Sequence, residues 1–436
     1  MIYPLFGINT VIRVSNINRR MSKTNNTVAI ILITSLFFFW GFIHNLDPIL
    51  IAHLRSAFSL SHLQASLVDS AVFIAYLVMG IPAGIIMKKY GYKVGILIGL
   101  LLFAVGCFLF VPAANTMSYI FFLSALFIVA CGITILETAA NPYMTVLGDP
   151  NTATQRLNFA QSFNGLAAFV APIVGGQFIL AEDPLNADQV AALSDAERLS
   201  YIQAETAVVK GPYVILGCII LAAAIIFMLI KLPEAEEADE EKSSFVKAFR
   251  HKNVSWAVLA QFFYVGAQVC VLSFLIVFAV EVSGISAQDA KYYAGIAGLV
   301  FMLGRFIGTF LMRSIAPSRL LFIYAIIATL LTCVAIFASG ALTLYAMIAI
   351  AFFMSIMFPT IFAIGVTGIG SDTKSASSLI IMSIVGGALL PPLLGYVSDA
   401  TGNMQYGYFV VVICFLVVAL FAYKNKTAAV STAAAH

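Results

Sequence analysis

The sequence predicts an all-α membrane protein with twelve transmembrane helices. Of its 436 residues, 61% are hydrophobic and only 10% are charged, whereas soluble domains carry about 25% charged residues. A spanning helix needs about 20 mostly apolar residues, and twelve segments of the chain meet that requirement. The predicted spans are 28–51, 64–87, 94–112, 118–146, 157–181, 211–232, 254–280, 291–312, 319–338, 342–366, 376–397 and 405–423.

A hydrophilic linker divides these spans into two sets of six. Residues 233–253 are first acidic and then basic, as expected of a solvated tether. They separate a predicted six-helix bundle at 28–232 from a second bundle at 254–423. Two polar tails, 1–27 and 424–436, complete the predicted domain organisation.

The basic residues lie mostly on one side of the predicted membrane. With the N-terminus inside, 18 of the 23 Lys and Arg residues fall in cytoplasmic loops and tails, so both termini are expected in the cytoplasm of a bacterium, beneath its inner membrane. The loop 182–210 then lies outside. Within it, Ser194 and Glu197 have the capping-box spacing that begins a short surface helix.

The composition argues against other classes of protein. Basic residues are scattered among short loops, so we expect no nucleic-acid partner. The six cysteines lie in apolar segments and form no CxxC pair, so neither disulfides nor a metal site is expected. No nucleophile motif or phosphate-binding loop is present, so the sequence predicts no enzyme and no cofactor.

The two sets of six repeat several features. Asn141-Pro142 in the fourth span corresponds to Phe358-Pro359 in the tenth, and the glycine–proline pattern of the fifth span returns in the eleventh with Gly386-Gly387. Two similar halves with a polar site between them are typical of transporters that work by alternating access. Glycine and proline are also common in membrane helices generally, which is the alternative explanation.

Glu137 is the most informative residue of the fourth span. A charged side chain at the centre of a bilayer costs roughly 2.5–3.5 kcal/mol, so such residues usually serve a function. Asn141 lies one helical turn further along the same face. The hypothesis is that Glu137 exchanges a proton or binds a sugar hydroxyl, and the alternative is a neutral, hydrogen-bonded structural acid.

Asp47 is a second acid in an apolar span. His44 and Trp40 lie three and seven residues before it, on the same helical face, and Asn45 lies nearby. A polar patch beside an indole suits a sugar, which has polar edges and apolar faces. Asp47 is interpreted as a proton carrier, unless it stays solvated near the membrane surface or pairs structurally with His44.

Three amides and one cation complete the candidate site. Gln161 and Asn164 are three residues apart and point the same way, and amides both donate to and accept from hydroxyl groups. They are predicted to contact the ligand or to join helices. Gln268 is expected to face the same cavity from the second half, while Arg305 suits a structural ion pair as well as a functional role.

Six stretches of the chain carry a resemblance to a known family. They are Leu136-Glu-Thr-Ala-Ala-Asn-Pro-Tyr143, Arg156-Leu-Asn-Phe-Ala-Gln-Ser-Phe-Asn164, Tyr264-Val-Gly-Ala-Gln268, Met354-Ser-Ile-Met-Phe-Pro-Thr-Ile-Phe362, Asp372-Thr-Lys374 and Gly386-Gly387. The chain resembles the L-fucose–proton symporter family of the major facilitator superfamily, which includes bacterial glucose/galactose permeases. The resemblance implies that superfamily's twelve-helix fold, a central cavity, and uptake of a monosaccharide with protons by a monomer in membrane lipids. It also implies that Glu137, Gln161 and Asn164 line the cavity.

Four positions depart from the family pattern. The acid of the first span, Asp47, is one residue early, about 100° around the helix. Fucose-type members have tyrosine where Phe358 stands and tryptophan where Leu272 stands. Lys88 replaces the aspartate of the loop between helices 2 and 3. These differences bear on the proton carrier, the transported hexose and the closure of the helix 2–3 loop.

The sequence therefore predicts a proton-coupled monosaccharide symporter that imports L-fucose or a related hexose. The alternatives are a sodium-coupled or uncoupled glucose/galactose permease, an exporter, and a membrane sugar sensor that does not transport. Asp47 and Glu137 are the expected proton-coupling residues. The residues expected to contact the sugar are Trp40, His44, Asn45, Glu137, Asn141, Gln161, Asn164, Gln268 and Phe358.

Overall fold

The computed structural model describes residues 27–46, 62–179, 192–233 and 244–425, together with the single positions 50, 54, 58 and 189. Within these ranges the chain is helical and contains no strand. In chain order the helices are α1 Thr27–His44, α2 His62–Asn115, α3 Tyr119–Val146, α4 Ala153–Ile179, α5 Asp195–Leu229, α6 Phe245–Arg250, α7 Lys252–Ser273, α8 Leu275–Ser283, α9 Ala287–Leu311, α10 Pro317–Phe337, α11 Ala341–Met354, α12 Met357–Val366, α13 Thr373–Met382, α14 Gly386–Thr401, α15 Met404–Gly407 and α16 Phe409–Lys424.

The number of spans agrees with the prediction. Eleven helical stretches in the described part of the chain are long and apolar enough to cross a membrane. One of them, Ala71–Asn115, has 45 residues and would measure about 67 Å as a straight helix, twice the roughly 30 Å of a bilayer core. Gly91, at φ 80°, interrupts it. Helix α2 therefore contributes two spans, which gives twelve.

Helix α5 is longer than predicted. The capping box at its start is present, since the Ser194 hydroxyl accepts the backbone N–H of Glu197 and the Glu197 carboxylate accepts that of Ser194. The helix then continues without a break to Leu229. Residues 198–210 contain neither glycine nor proline, so nothing in them ends the helix before the predicted span.

The predicted span 342–366 is broken between α11 and α12, and proline explains the break. Pro359 has no N–H to donate to the carbonyl of Ser355, four residues earlier. Pro142 frees the carbonyl of Thr138 in α3 in the same way. The predicted span 254–280 is also interrupted, between α7 and α8. The predicted span 376–397 is interrupted by a 3₁₀ turn between α13 and α14.

We call the end of the bundle near the linker residues 231–233 and α6 the linker face. Three contacts define it. Lys93 donates to the backbone oxygens of Met228 (3.1 Å) and Ile230 (2.8 Å), and the Tyr143 hydroxyl donates to the Pro233 carbonyl at 2.6 Å. The turn at Gly91, the end of α3 and the end of α5 therefore lie together at this face.

Helix α6 is anchored to the second half at the linker face. Asp372 is 2% exposed, and its carboxylate lies 2.9 Å from His251 Nε2 and 3.6 Å from Lys247 Nζ. On the first half, Lys88 lies over the ring of Phe245 at 5.6 Å. Lys88, one of the four positions that differ from the family pattern, therefore contacts α6.

The two halves are joined near the linker face. Gln155 donates to the Thr309 carbonyl at 3.3 Å, and Asn158 donates to the Thr360 hydroxyl at 3.1 Å. The first bond joins the start of α4 to the end of α9, and the second lies deeper between the halves. Ser377 of α13 donates to the Thr138 carbonyl at 2.8 Å, using the acceptor that Pro142 leaves free. The bundle is therefore closed on this side.

Candidate functional site: a polar cavity between the two halves

A cavity of about 110 Å³ lies between the two halves, with room for several water molecules. Helices α1 to α4 line it from the first half, and α7, α9, α12 and the 3₁₀ turn Ser383–Val385 line it from the second half. The lining residues are Trp40, His44, Phe73, Tyr76, Glu137, Gln161, Asn164, Val265, Gln268, Val269, Arg305, Phe358 and Ile384.

Glu137 is the carboxylate of this cavity. Its side chain lies on α3 and the residue is 7% exposed. The Tyr76 hydroxyl of α2 donates to its Oε1 at 3.1 Å. Its Oε2 is buried and has no hydrogen-bond partner in the described part of the chain. A buried acceptor without a donor is costly, so this oxygen is suited to receive a ligand hydroxyl or a proton.

Gln161 and Asn164 both face the cavity from α4, as their spacing predicts. Gln161 Nε2 donates to Asn141 Oδ1 at 3.2 Å. Asn141 itself is fully buried and lies behind Gln161, outside the cavity lining. Its amide therefore orients Gln161 in this structure, while its Nδ2 has no partner among the described residues.

Arg305 of α9 crosses from the second half to the first. Its Nη1 donates to the Gln161 carbonyl at 2.7 Å and lies 3.4 Å from Asn164 Oδ1. Its Nε donates at 2.9 Å to the Ser355 carbonyl that Pro359 leaves free.

The guanidinium of Arg305 also stacks on an aromatic ring, with its Cζ 4.6 Å from the centre of the Phe301 ring. It forms no salt bridge within the described ranges. The residue is 3% exposed, and its charge acts on Glu137 across the cavity. Arg305 is therefore both a bridge between the halves and the positive charge of the site.

Helix α1 supplies an aromatic wall. Trp40 and His44 line the cavity, and the Trp40 ring lies 4.2 Å from that of Phe37. The side-chain Nδ2 of Asn45, just after the helix, donates to the Gly41 carbonyl at 2.6 Å, and Asn45 lies outside the cavity lining. Asp47 lies outside the described residues, so its predicted role stays a prediction.

The second half adds an amide and a second aromatic wall. The Gln268 side chain of α7 lines the cavity and hydrogen-bonds no described residue. Phe358 of α12 also lines it, with its ring centre 6.5 Å from that of Tyr264. The Tyr264 hydroxyl lies next to Arg305 but outside hydrogen-bond geometry. Donors, acceptors and flat apolar surfaces therefore surround the cavity.

Sequence reasoning missed several of the lining residues. Tyr76 is the most important, because it bonds Glu137 from a position 61 residues away. It stands in an apolar run where one tyrosine carries no distinguishing pattern. The apolar lining residues that were missed are Phe73, Val265, Val269 and Ile384. Within the described ranges, no group of three His, Cys, Asp or Glu side chains is placed to hold a metal ion.

Comparison with known proteins identifies the family. The family profile described as Major Facilitator Superfamily matches residues 28–383. An L-fucose-proton symporter of Escherichia coli is 42% identical, over 91% of this chain and 93% of the relative. A glucose/galactose transporter of Brucella abortus is 38% identical, over 92% and 94%.

The solved structures lead to the same family. A crystal structure of the superfamily transporter FucP in the outward conformation superposes with a TM-score of 0.86 at 41% identity, covering 92% of this chain and 99% of that one. The predicted fold is thereby confirmed. The chain therefore belongs to the major facilitator superfamily, and within it to the branch that holds these L-fucose–proton symporters and glucose/galactose transporters.

Proposed function

We propose that the protein imports a monosaccharide, L-fucose or a related hexose, together with a proton by alternating access. The observation that carries the proposal is Glu137, a carboxyl in the cavity between the halves whose Oε2 lacks a partner in the described part of the chain. Amides and indole or phenyl rings around it suit hydroxyl edges and apolar faces of a sugar. The similar proteins, named as an L-fucose-proton symporter and a glucose/galactose transporter, support the same substrates.

The state of the molecule supports an outward-facing intermediate. The halves are joined near the linker face, and the similar solved structure is named as outward. The linker face is then the cytoplasmic face of a bacterial inner membrane, with both termini in the cytoplasm. We also propose that the working unit is a monomer embedded in lipid. We retain 28–232 and 254–423 as the two bundles, with 233–253 between them.

In the proposed cycle, the outward-facing cavity takes a proton at Glu137 or Asp47 and then a sugar. Gln161, Asn164 and Gln268 hydrogen-bond the sugar, while Asn141 holds Gln161 in place. A ligand shifts a conformational equilibrium only by its different affinities for the two states. Coupling therefore requires that the sugar bind the protonated form more tightly, so that proton and sugar together favour opening at the linker face.

The test is a pH recording in a lightly buffered suspension of de-energised cells that express the protein. L-Fucose, D-galactose, D-glucose and D-mannose are added in turn. One of them is expected to make the medium alkaline, and Glu137→Gln is expected to abolish the signal. Glu281→Gln is the matched control, since Glu281 is exposed and lies outside the cavity. Sugar uptake without alkalinisation would refute proton symport.

The second candidate is a sodium-coupled glucose/galactose permease; the relative with 38% identity is named a glucose/galactose transporter, and that name states no proton coupling. The same cells, supplied with labelled sugar in sodium or choline buffer, separate the two. Proton symport predicts equal uptake in both buffers. Uptake that depends on sodium and leaves the pH unchanged would establish the second candidate instead.

A further inference from the structure

A second, larger groove lies between the two halves at the linker face, apart from the central cavity. Its volume is about 570 Å³, and it is formed by the start of α4 and the end of α9. Arg156 on α4 and Arg313 just after α9 line it from opposite walls, together with the polar side chains of Gln155 and Thr309. None of these side chains belongs to the central cavity, and the proposed transport cycle assigns no role to either arginine.

Arg313 is an available positive charge. It is exposed, and its guanidinium lies 5.3 Å from the centre of the Phe310 ring. Its side chain forms neither a hydrogen bond nor a salt bridge with any residue that the structure describes. Arginine presents five N–H donors in a planar fork that fits phosphate oxygens, so the Arg313 side chain is able to bind an anion without breaking a hydrogen bond of its own.

Arg156 is a fixed positive charge on the opposite wall. It donates four hydrogen bonds, to the carbonyls of Met144, Thr145 and Asp149 and to the Thr152 hydroxyl, which leaves one of its five N–H groups. Asp149 is the acid near it, and the Asp149 carboxylate accepts the backbone N–H of Asn151. Arg156 makes no salt bridge within the described ranges.

The remaining walls of the groove are aromatic side chains that are exposed on the outer surface of the bundle. Phe159 is 44% exposed and Phe310 is 64% exposed, although both belong to spanning helices. In a membrane such side chains contact acyl chains. Deeper between α4 and α9, the rings of Phe163 and Phe306 lie 6.3 Å apart, and the Gln155 amide donates to the Thr309 carbonyl. The groove is thus blocked towards the protein centre by these contacts and exposed towards lipid.

We infer that this groove binds an anionic phospholipid, with its phosphate between Arg313 and Arg156 and an acyl chain along Phe159 and Phe310. The groove lies where α4 begins and α9 ends, and Arg313 follows the apolar span Tyr292–Leu311 by two residues, where lipid headgroups are expected. Basic pockets between membrane helices on the cytoplasmic side bind anionic headgroups. A free phosphate would match the arginines but would leave the exposed rings uncovered, so the observations favour a lipid.

The bound lipid would connect the two halves, since α4 belongs to the first and α9 to the second. The lipid would contact both α4 and α9 only while the two halves are closed together at the linker face. An anionic lipid therefore stabilises the closed linker face and does so without touching the sugar cavity. This role is independent of which sugar or cation is transported.

The test is native mass spectrometry of the purified full-length protein titrated with dioleoyl phosphatidylglycerol, with dioleoyl phosphatidylcholine for comparison. The wild type is expected to bind phosphatidylglycerol preferentially. Arg313→Gln is expected to weaken binding about fivefold, equivalent to the roughly 1 kcal/mol that one arginine contributes near an anionic lipid surface, while Arg313→Lys retains most of the affinity. Arg319→Gln is the matched control, an exposed arginine outside the groove.

Three results would overturn the inference. Equal binding of the two lipids would mean that headgroup charge is not recognised. Equal affinities for Arg313→Gln and Arg319→Gln would remove the groove as the site. Displacement of the lipid by excess inorganic phosphate would assign the arginines to a soluble anion. Because Arg313 lies at the surface and holds no other residue, its variants are expected to fold, which size-exclusion chromatography checks.

Discussion

Arg305→Gln is predicted to open the linker face. In the closed structure, Arg305 Nη1 donates to the Gln161 carbonyl at 2.7 Å across the two halves, while its Nε bond to Ser355 stays within the second half. Opening breaks the strong Nη1 bond and the longer Nη1 contact with Asn164 Oδ1 at 3.4 Å, and it leaves the Nε bond intact. A hydrogen bond from a charged donor is worth about 1.5–3 kcal/mol, so its loss should shift the closed-to-open ratio by roughly 10- to 150-fold.

The shift is measured as a distance distribution between two spin labels, by pulsed electron resonance. Asn151→Cys and Ser314→Cys carry the labels, because both positions are exposed near the linker face and belong to different halves. The exposed native Cys218 is replaced by serine. The wild type should give mainly the short distance and Arg305→Gln a larger long-distance fraction.

A control keeps this prediction specific. Thr332→Val removes only a bond within α10, to the Ala328 carbonyl at 2.7 Å, and should leave the distribution unchanged. Arg305→Lys keeps the charge but not the fork of donors, so its shift should be intermediate. Unchanged populations in a folded Arg305→Gln protein would refute the assignment of Arg305 as a bridge.

Three further predictions follow from close contacts. Gly41→Ala would place a Cβ 2.7 Å from Asn164 Nδ2 and so displace this amide. The KM for sugar in uptake assays should rise several-fold, with little loss of protein. An unchanged KM would contradict a ligand role for the Asn164 amide. Gly386→Ala would place a Cβ against the Phe262 carbonyl oxygen. Overpacking costs about 1–3 kcal/mol, so the thermal unfolding midpoint should fall, and an unchanged midpoint would refute the tight contact. Asp372→Asn removes the charge that holds Lys247 and His251, and with them α6. Since both basic side chains are partly exposed, hydrogen exchange in α6 should become only about two- to fivefold faster. Unaltered exchange would show that this ion pair does not anchor α6.

The fold was readable from composition because the bilayer restricts the choice of structure. Apolar length identifies spans, since a membrane helix must satisfy its own backbone hydrogen bonds. The sequence did not predict where helices continue or break. Helix α5 runs through a predicted loop, and the predicted span 342–366 is broken between α11 and α12. The break near Ser355 needed knowledge of Arg305, which supplies the donor that Pro359 lacks. Such a partner, 50 residues away, leaves no local pattern.

The candidate site was predictable where a residue is unusual for its surroundings. Glu137 stands out by its cost in a bilayer, and Gln161 and Asn164 by their spacing and their match to the family. Tyr76 was not predictable, because tyrosine is ordinary in a membrane helix. Asn141 was expected to contact the sugar, yet it lies behind Gln161, since residues on one helical face can differ in depth within the bundle.

The central claim is that Glu137 couples sugar movement to a proton. Its most direct test uses proteoliposomes that contain the wild type or Glu137→Gln and labelled sugar, in two assays. Exchange of sugar across the membrane needs no net proton movement, whereas accumulation driven by an inside-alkaline pH gradient does. The account predicts that the variant keeps exchange and loses gradient-driven accumulation. A variant that still accumulates sugar as the wild type does would contradict it.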